Sequence, residues 1–312
     1  MAVFFTIVYV GFPTFEPGDS SQEQLGLSTI LITGVQLIFA LGIVVLMKKD
    51  GSYSVLNRPE SNPADLFRPV LGWLFIAFKF IAIFIVFRFL PPDLINVQPL
   101  GIVLALALSL SIGLFEEYLF RGFLFKNLVR DQDESVVLKA ALISSLMFGL
   151  FHIDFMMVLK GGGISAGQIG MAIFAFGVGF YLAAITYRFG KMWIPVLIHA
   201  LIDFPTFLMI ALVDTNKIFD LIEPLLEEMT LSIGDLGTES GNPAIFAIGL
   251  IFLVAGFRML RKTIAARRLE RITQEEMDQQ LYDNYGNQFF PDMENFQPRG
   301  LSDPEEPDNT DI

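Results

Sequence analysis

The sequence predicts an all-α fold, a polytopic membrane bundle of about seven transmembrane helices with a disordered acidic C-terminal tail. Three observations predict it. The 312 residues are 53% hydrophobic and only 17% charged, against about 25% charged in soluble domains. Seven stretches offer something close to the roughly 20 apolar residues that a helix needs to cross the hydrocarbon core. Charge is also segregated. Of the net −12, residues 272–312 hold eleven acids and one base (Arg299), whereas residues 1–271 hold 22 acids against 20 bases. The body is nearly neutral and the acidity belongs to the tail.

The elements follow in chain order. Residues 1–26 form an exterior or interfacial segment. Within it Met1–Pro13 is apolar but short and lacks a basic n-region, so it is not read as a signal peptide. Two accessory spans, Leu27–Met47 and Val70–Leu90, fall in residues 27–98. Four more, Pro99–Phe120, Val137–Leu159, Ile164–Tyr187 and Met192–Val213, fill residues 99–213. Residues 214–243 read as an acidic exterior loop with a short amphipathic piece around Ile218–Met229. The seventh span is Ala244–Leu260, and residues 261–312 are a basic, then acidic, cytosolic tail. From Thr273 onward Asp, Glu, Gln, Asn and Pro dominate, which is the composition of disorder. The aromatics there (Tyr282, Tyr285, Phe289, Phe290, Phe296) form at most a docking motif on a solvating tail.

Lys and Arg give the orientation. Lys48, Lys49, Arg58 and Arg68 follow span one, and Lys126, Arg130 and Lys139 follow span three. Arg188 and Lys191 follow span five, and a basic run from Arg258 to Arg271 follows span seven. The other side carries only Arg88, Lys160 and Lys217. By the positive-inside rule the N-terminus is outside and the C-terminus cytosolic. The basic run would lie against the anionic leaflet.

Composition also excludes chemistry. There is no Cys, so disulfides, thiolate zinc sites, iron–sulfur clusters and cysteine nucleophiles are out. No basic patch marks nucleic-acid binding. The partners are the lipid bilayer and whatever reaches the site from it.

Ionisable residues at membrane depth cost about 2.5–3.5 kcal/mol even on insertion scales, and they face a bundle interior or a wet cavity. Span three carries Phe115-Glu116-Glu117-Tyr118-Leu119-Phe120-Arg121, span four Phe148-Gly149-Leu150-Phe151-His152, and span six His199-Ala200-Leu201-Ile202-Asp203. Both histidines of the chain are therefore inside spans. Glu117 and Arg121, four apart, share a helix face and can pair, while Glu116 is turned about 100° away. His199 and Asp203 are also four apart. At about 1.5 Å per residue, Glu116, His199 and His152 can reach a common level open toward the cytosol.

Other candidates read more plainly. Lys79 and Arg88 snorkel or pair locally. Asp154 is an edge residue, and Gly161-Gly162-Gly163 is a turn, since no phosphate-loop pattern surrounds it. Gly170, Gly177 and Gly179 allow close helix packing. Pro205 removes a backbone donor beside Asp203 and opens the helix there.

No Ser or Lys stands beside a His in the spans, so covalent catalysis lacks a candidate. A Glu near a His can deprotonate water, the two sharing acid and base roles. The second His with its Asp can stabilise an oxyanion. Alternatively, two His plus carboxylates (His152, His199, Glu116, Asp203) suffice for a catalytic zinc. Either route predicts hydrolysis of a peptide bond in or near the membrane. The plain readings are interhelical hydrogen bonding by the two histidines and a structural ion pair for the Glu-Glu-x-x-x-Arg run.

In this order and spacing the three motifs resemble the CAAX-protease and bacteriocin-processing (CPBP) family of intramembrane endopeptidases. That family carries Glu-Glu-x-x-x-Arg, Phe-x-x-x-His and His-x-x-x-Asn or Asp on successive helices. The resemblance covers about residues 100–210. It implies that Glu116 activates water with help from His152, and that His199 and Asp203 face the oxyanion or help bind a metal. Glu117, Arg121 and Phe148 would be supporting residues. It further implies a membrane-associated protein or peptide substrate and, as the expected location, a bacterial cytoplasmic membrane. An ionised Asp203 cannot donate to an oxyanion, so it must be protonated, orient His199, or serve a cation. Two other functions compete: a non-enzymatic scaffold or immunity protein of the same family, and a proton-coupled transporter. The transporter is disfavoured because no inverted repeat or paired broken helices appear.

Overall fold

The computed structural model describes residues 22–49, 66–129, 134–153, 158–159, 163–213 and 243–289. Met1–Pro13, the piece around Ile218–Met229, Asp154, Gly161, Gly162 and residues 290–312 lie outside them. We number seven helices: α1 Gln22–Lys49, α2 Val70–Phe89, α3 Pro99–Glu117, α4 Glu134–Phe151, α5 Ala166–Phe189, α6 Trp193–Leu212 and α7 Pro243–Phe289. α3 continues without interruption through an eight-residue π-helical segment, Tyr118–Phe125, and a last α-turn, Lys126–Leu128. No strand occurs among the described residues, apart from an isolated bridge between Ile95 and Val213.

Pro99 opens α3 at a position where its missing N–H costs nothing. Ser165 caps α5 by accepting from the Gln168 amide, and Gly190 ends it in the left-handed region at φ 63°. Six helices are long and apolar enough to cross a membrane, while α4 supplies a shorter apolar stretch, Ser135–Phe151. The protein is an integral membrane protein.

Two expectations need correction. The fourth span, expected to reach Leu159, stops at Phe151. His152 Nδ1 lies 2.8 Å from the Phe148 carbonyl and donates to it. The imidazole thus occupies a carbonyl that a continuing helix would have bonded. The disorder expected from Thr273 does not hold for Thr273–Phe289, which α7 includes. Between Gly256 and Gly286 there is no Gly or Pro, and Arg, Glu, Gln, Leu and Met are strong helix formers. Gln274 also donates to Asp278 four residues on, at 2.8 Å. A polar composition argues against a packed core, yet it does not forbid a helix.

The chain divides into two units, Met1–Thr263 and Ile264–Ile312. The second consists, among the described residues, of the outer part of α7, whose side chains are exposed from Leu269 to Leu281. In the first unit α5 is the central helix: 67% of its apolar stretch is buried, against 11% for α2. Val178, Tyr181, Leu182 and Ile185 of α5 form the core with Ile76 of α2, Ile194, Ile198 and Ile202 of α6, and Phe252 of α7. The apolar residues left outside, such as Ile38, Phe84 and Leu74, form the lipid-facing side expected of a span.

Helix pairs approach closely where glycine leaves room. A Cβ on Gly113 of α3 would meet the Val196 carbonyl of α6 at 2.9 Å. Gly101 stands similarly against Ala211, so α3 and α6 run antiparallel in a fixed register. The Ile95–Val213 bridge fastens their shared end. Gly149 does the same for α4 against Ala172 of α5. Gly177 and Gly179 sit at close approaches, as their sequence context predicts, whereas Gly170 faces open space.

Candidate functional site

The site is assembled where α3, α4 and α6 bring their unexpected polar residues together. Glu116 and Glu117 end the regular part of α3, and the π-helical winding starts at the next residue. Such segments are rare and recur at functional sites. Here the wider winding keeps Arg121 against Glu117, Nη1 to Oε1 at 2.9 Å. Both side chains are completely buried.

Glu117 has a second partner that helix spacing alone does not reveal. His199 Nδ1 of α6 donates to the same Oε1 at 2.8 Å. The Gly113 contact one turn back makes this possible, because α3 and α6 cannot come this close around a larger residue. Glu117 is thus a buried anchor shared by a guanidinium and an imidazole. Its hold on Nδ1 assigns the proton there and leaves His199 Nε2 facing the other carboxylates.

Those are Glu116, with Oε2 3.7 Å from His199 Nε2, and Asp203, with Oδ2 at 3.5 Å. Both distances exceed those of short hydrogen bonds. Glu116 Oε2 is buried and has no hydrogen-bond partner among the described residues. Asp203 is more open, with 28% of its side chain exposed. His152 interacts electrostatically with Glu116. Because Nδ1 of His152 is committed to the Phe148 carbonyl, its Nε2 is the nitrogen left to accept a proton.

Phe148 is the hub of the arrangement. Its ring meets His152 edge-on at a centroid distance of 4.7 Å and His199 at 5.6 Å. The Arg121 guanidinium lies over the same ring, 4.3 Å from its centroid, a cation–π contact strengthened by burial. Arg121 Nε and Nη2 have no hydrogen-bond partner among the described residues, so the aromatic face is a main compensation for this buried charge. Phe120 packs edge-on against Phe148 at 5.2 Å.

All seven residues singled out by the motifs (Glu116, Glu117, Arg121, Phe148, His152, His199 and Asp203) therefore belong to one polar layer. Sequence reasoning missed three contributors. Gly113 sets the α3–α6 approach. Gly179, named only as a packing residue, leaves the space that Arg121 and Phe148 occupy: a Cβ there would stand 2.9 Å from each. Lys79, read as snorkelling or pairing locally, instead reaches across from α2 to α6. Its Nζ donates to the Ile202 carbonyl and to Thr206 Oγ1 at 2.9 Å. The signal was present, since Lys79 is the tenth residue of a 20-residue apolar span, too deep to reach an interface easily.

Among the described residues no three His, Asp or Glu side chains form a group that could hold a metal ion. The Nδ1 bonds of His152 and His199 leave Nε2 as the outward nitrogen of each.

Residues 98–205 match the family model described as Rce1-like, type II CAAX prenyl endopeptidase. No curated protein and no solved structure matches the chain. The matched stretch starts one residue before α3, ends at Pro205 and contains every motif residue of the polar layer. Over that stretch the chain is similar to the Rce1-like, type II CAAX prenyl endopeptidase family.

Proposed function

We propose that the protein is an intramembrane endopeptidase that hydrolyses a peptide bond of a membrane-associated protein or peptide by a water activated on Glu116. The carrying observation is the contrast within the Glu-Glu pair. Glu117 Oε1 receives both Arg121 and His199 at 2.8–2.9 Å, whereas the nearest ionic partner of Glu116 Oε2 is His199 Nε2 at 3.7 Å; the Oε2 atom of each glutamate is buried with no hydrogen-bond partner among the described residues.

In this reading Glu116 takes a proton from water as the water attacks the scissile carbonyl. His152, with Nε2 available, shares the acid and base work and returns a proton to the leaving amine. His199, oriented by Glu117, stabilises the oxyanion from Nε2 once that nitrogen carries a proton. Asp203 lies beside the same Nε2, at 3.5 Å, and balances the charge of the protonated ring. Arg121 and Phe148 keep Glu117 and both imidazoles in register. Zinc is the second way to activate the water, with His152, His199, Glu116 and Asp203 as its donors. The positive-inside pattern adds an orientation, with the N-terminus outside, the C-terminus in the cytosol and the site reached from the cytosolic side of a bacterial cytoplasmic membrane.

The test compares membrane proteomes of cells carrying the wild type and Glu116→Gln. A client protein that stays uncut only in the variant is the expected result. Indistinguishable peptide termini in the two membranes would remove the protease reading and favour a scaffold.

A further inference from the structure

Lys79 has no role in the chemistry above, yet a lysine midway along a lipid-flanked helix is expensive to keep. Its neighbours Phe78 and Phe80 are exposed apolar residues, and about 15 Å of helix separates it from either end of α2. The side chain turns inward and binds α6 at its weakest turn. There Pro205 lacks the amide that would have bonded the Leu201 carbonyl. Lys79 takes the adjacent Ile202 carbonyl and the Thr206 hydroxyl. Thr206 lies three residues after Asp203 and so shares its face of α6. The Lys79 ammonium is thereby held next to the turn that carries Asp203, on the carbonyl of the preceding residue and the hydroxyl one turn on.

We propose that Lys79 is a positioning residue of the site: anchored on the Pro205 turn of α6, it is the fixed counter-charge of Asp203, as Arg121 is of Glu117. The three carboxylates of the layer then divide cleanly. Glu117 has a guanidinium and Asp203 an ammonium. Glu116 has the two imidazoles as its leading favourable partners, and these can gain and lose protons during a reaction. With a cation held on its own face of α6, the negative charge of Asp203 need not be balanced by His199 alone. This answers how an aspartate, which cannot donate a hydrogen bond while ionised, is tolerated beside an oxyanion-stabilising histidine. The inference rests on the proteolytic reading for its functional meaning, while the charge pair itself does not.

The experiment is a double-mutant cycle of Lys79→Met and Asp203→Asn in the full-length protein. It is read twice, as turnover of a farnesylated C-a-a-X peptide in proteoliposomes and as the thermal unfolding midpoint in detergent. Alone, Lys79→Met is expected to lower kcat at least about tenfold with KM little changed, and to lower the midpoint by about 3 °C or more. In the Asp203→Asn background both losses shrink to within about twofold and about 1 °C, because no carboxylate needs the cation. Lys79→Arg restores most of the lost turnover. Thr206→Val, which removes a hydrogen bond but no charge, leaves kcat within about twofold. Equal costs of Lys79→Met in both backgrounds overturn the inference and reduce Lys79 to a brace of the Pro205 turn. Coupling in the midpoint alone retains the charge pair and overturns the positioning role. A wild type that leaves the peptide and all membrane proteins uncut instead sinks the proteolytic reading, with the midpoint cycle still judging the pair.

Discussion

Glu116 and Glu117 are neighbours in sequence and opposites in circumstance. The half of the polar layer around Glu117 is closely bonded at one oxygen: Oε1 receives a guanidinium and an imidazole, and a phenyl ring covers the guanidinium. The half around Glu116 is loose, with contacts at 3.5 Å or more between His199 Nε2 and its acids. The difference teaches a division of labour. A buried carboxylate held by two short bonds is suited to hold others in position, while one with only longer contacts is, on the proposed reading, the one that exchanges a proton. The Glu-Glu dipeptide supplies both by turning its two side chains to different neighbours.

That comparison can be broken from either side. The largest effect expected is on the loose half: Glu116→Gln should lower turnover of the farnesylated peptide by about 10³-fold or more, with circular dichroism and unfolding midpoint unchanged. A variant that keeps full turnover abolishes the distinction. On the Glu117 half, Arg121→Met should cost about 3–5 kcal/mol of stability, because it strands a buried carboxylate. This would be read as loss of folded protein from detergent extracts, with activity per folded molecule falling less than in Glu116→Gln. A smaller effect should follow from Gly179→Ala. Its methyl group must displace Arg121 or Phe148, an overpacking worth about 1–3 kcal/mol, and thermal unfolding would show it. The smallest change expected is in metal content: zinc per protein measured by mass spectrometry should be the same, and far below one, in wild type and His199→Ala. A full equivalent lost in the variant would instead establish the zinc route.

Much of this was legible in the chain because hydropathy fixes which segments enter lipid. Each of the seven helices overlaps a stretch chosen by apolar length, with α4 ending earlier and α7 running further than expected, and the three motifs were visible as polar residues where none should be. What escaped has a common cause. Spacing reports which residues of one helix share a face, so Glu117–Arg121 and His199–Asp203 could be read directly. It is silent about contacts between helices, so the Glu117–His199 bond, the Lys79 reach to α6 and the guanidinium over Phe148 could not be read. The early end of α4 escaped for a related reason, because a side chain replaces a backbone donor there. The outer part of α7 was misread because composition measures the capacity to bury surface, whereas helix formation at the surface depends on propensity and on the absence of Gly and Pro.

The bond from His152 to the Phe148 carbonyl has a practical consequence. Truncating position 152 to alanine deletes a proton acceptor and unfastens a helix terminus in the same stroke, so a dead alanine variant would indict either. Asparagine keeps a donor of similar reach without imidazole basicity, and it is the substitution that separates architecture from chemistry at that position.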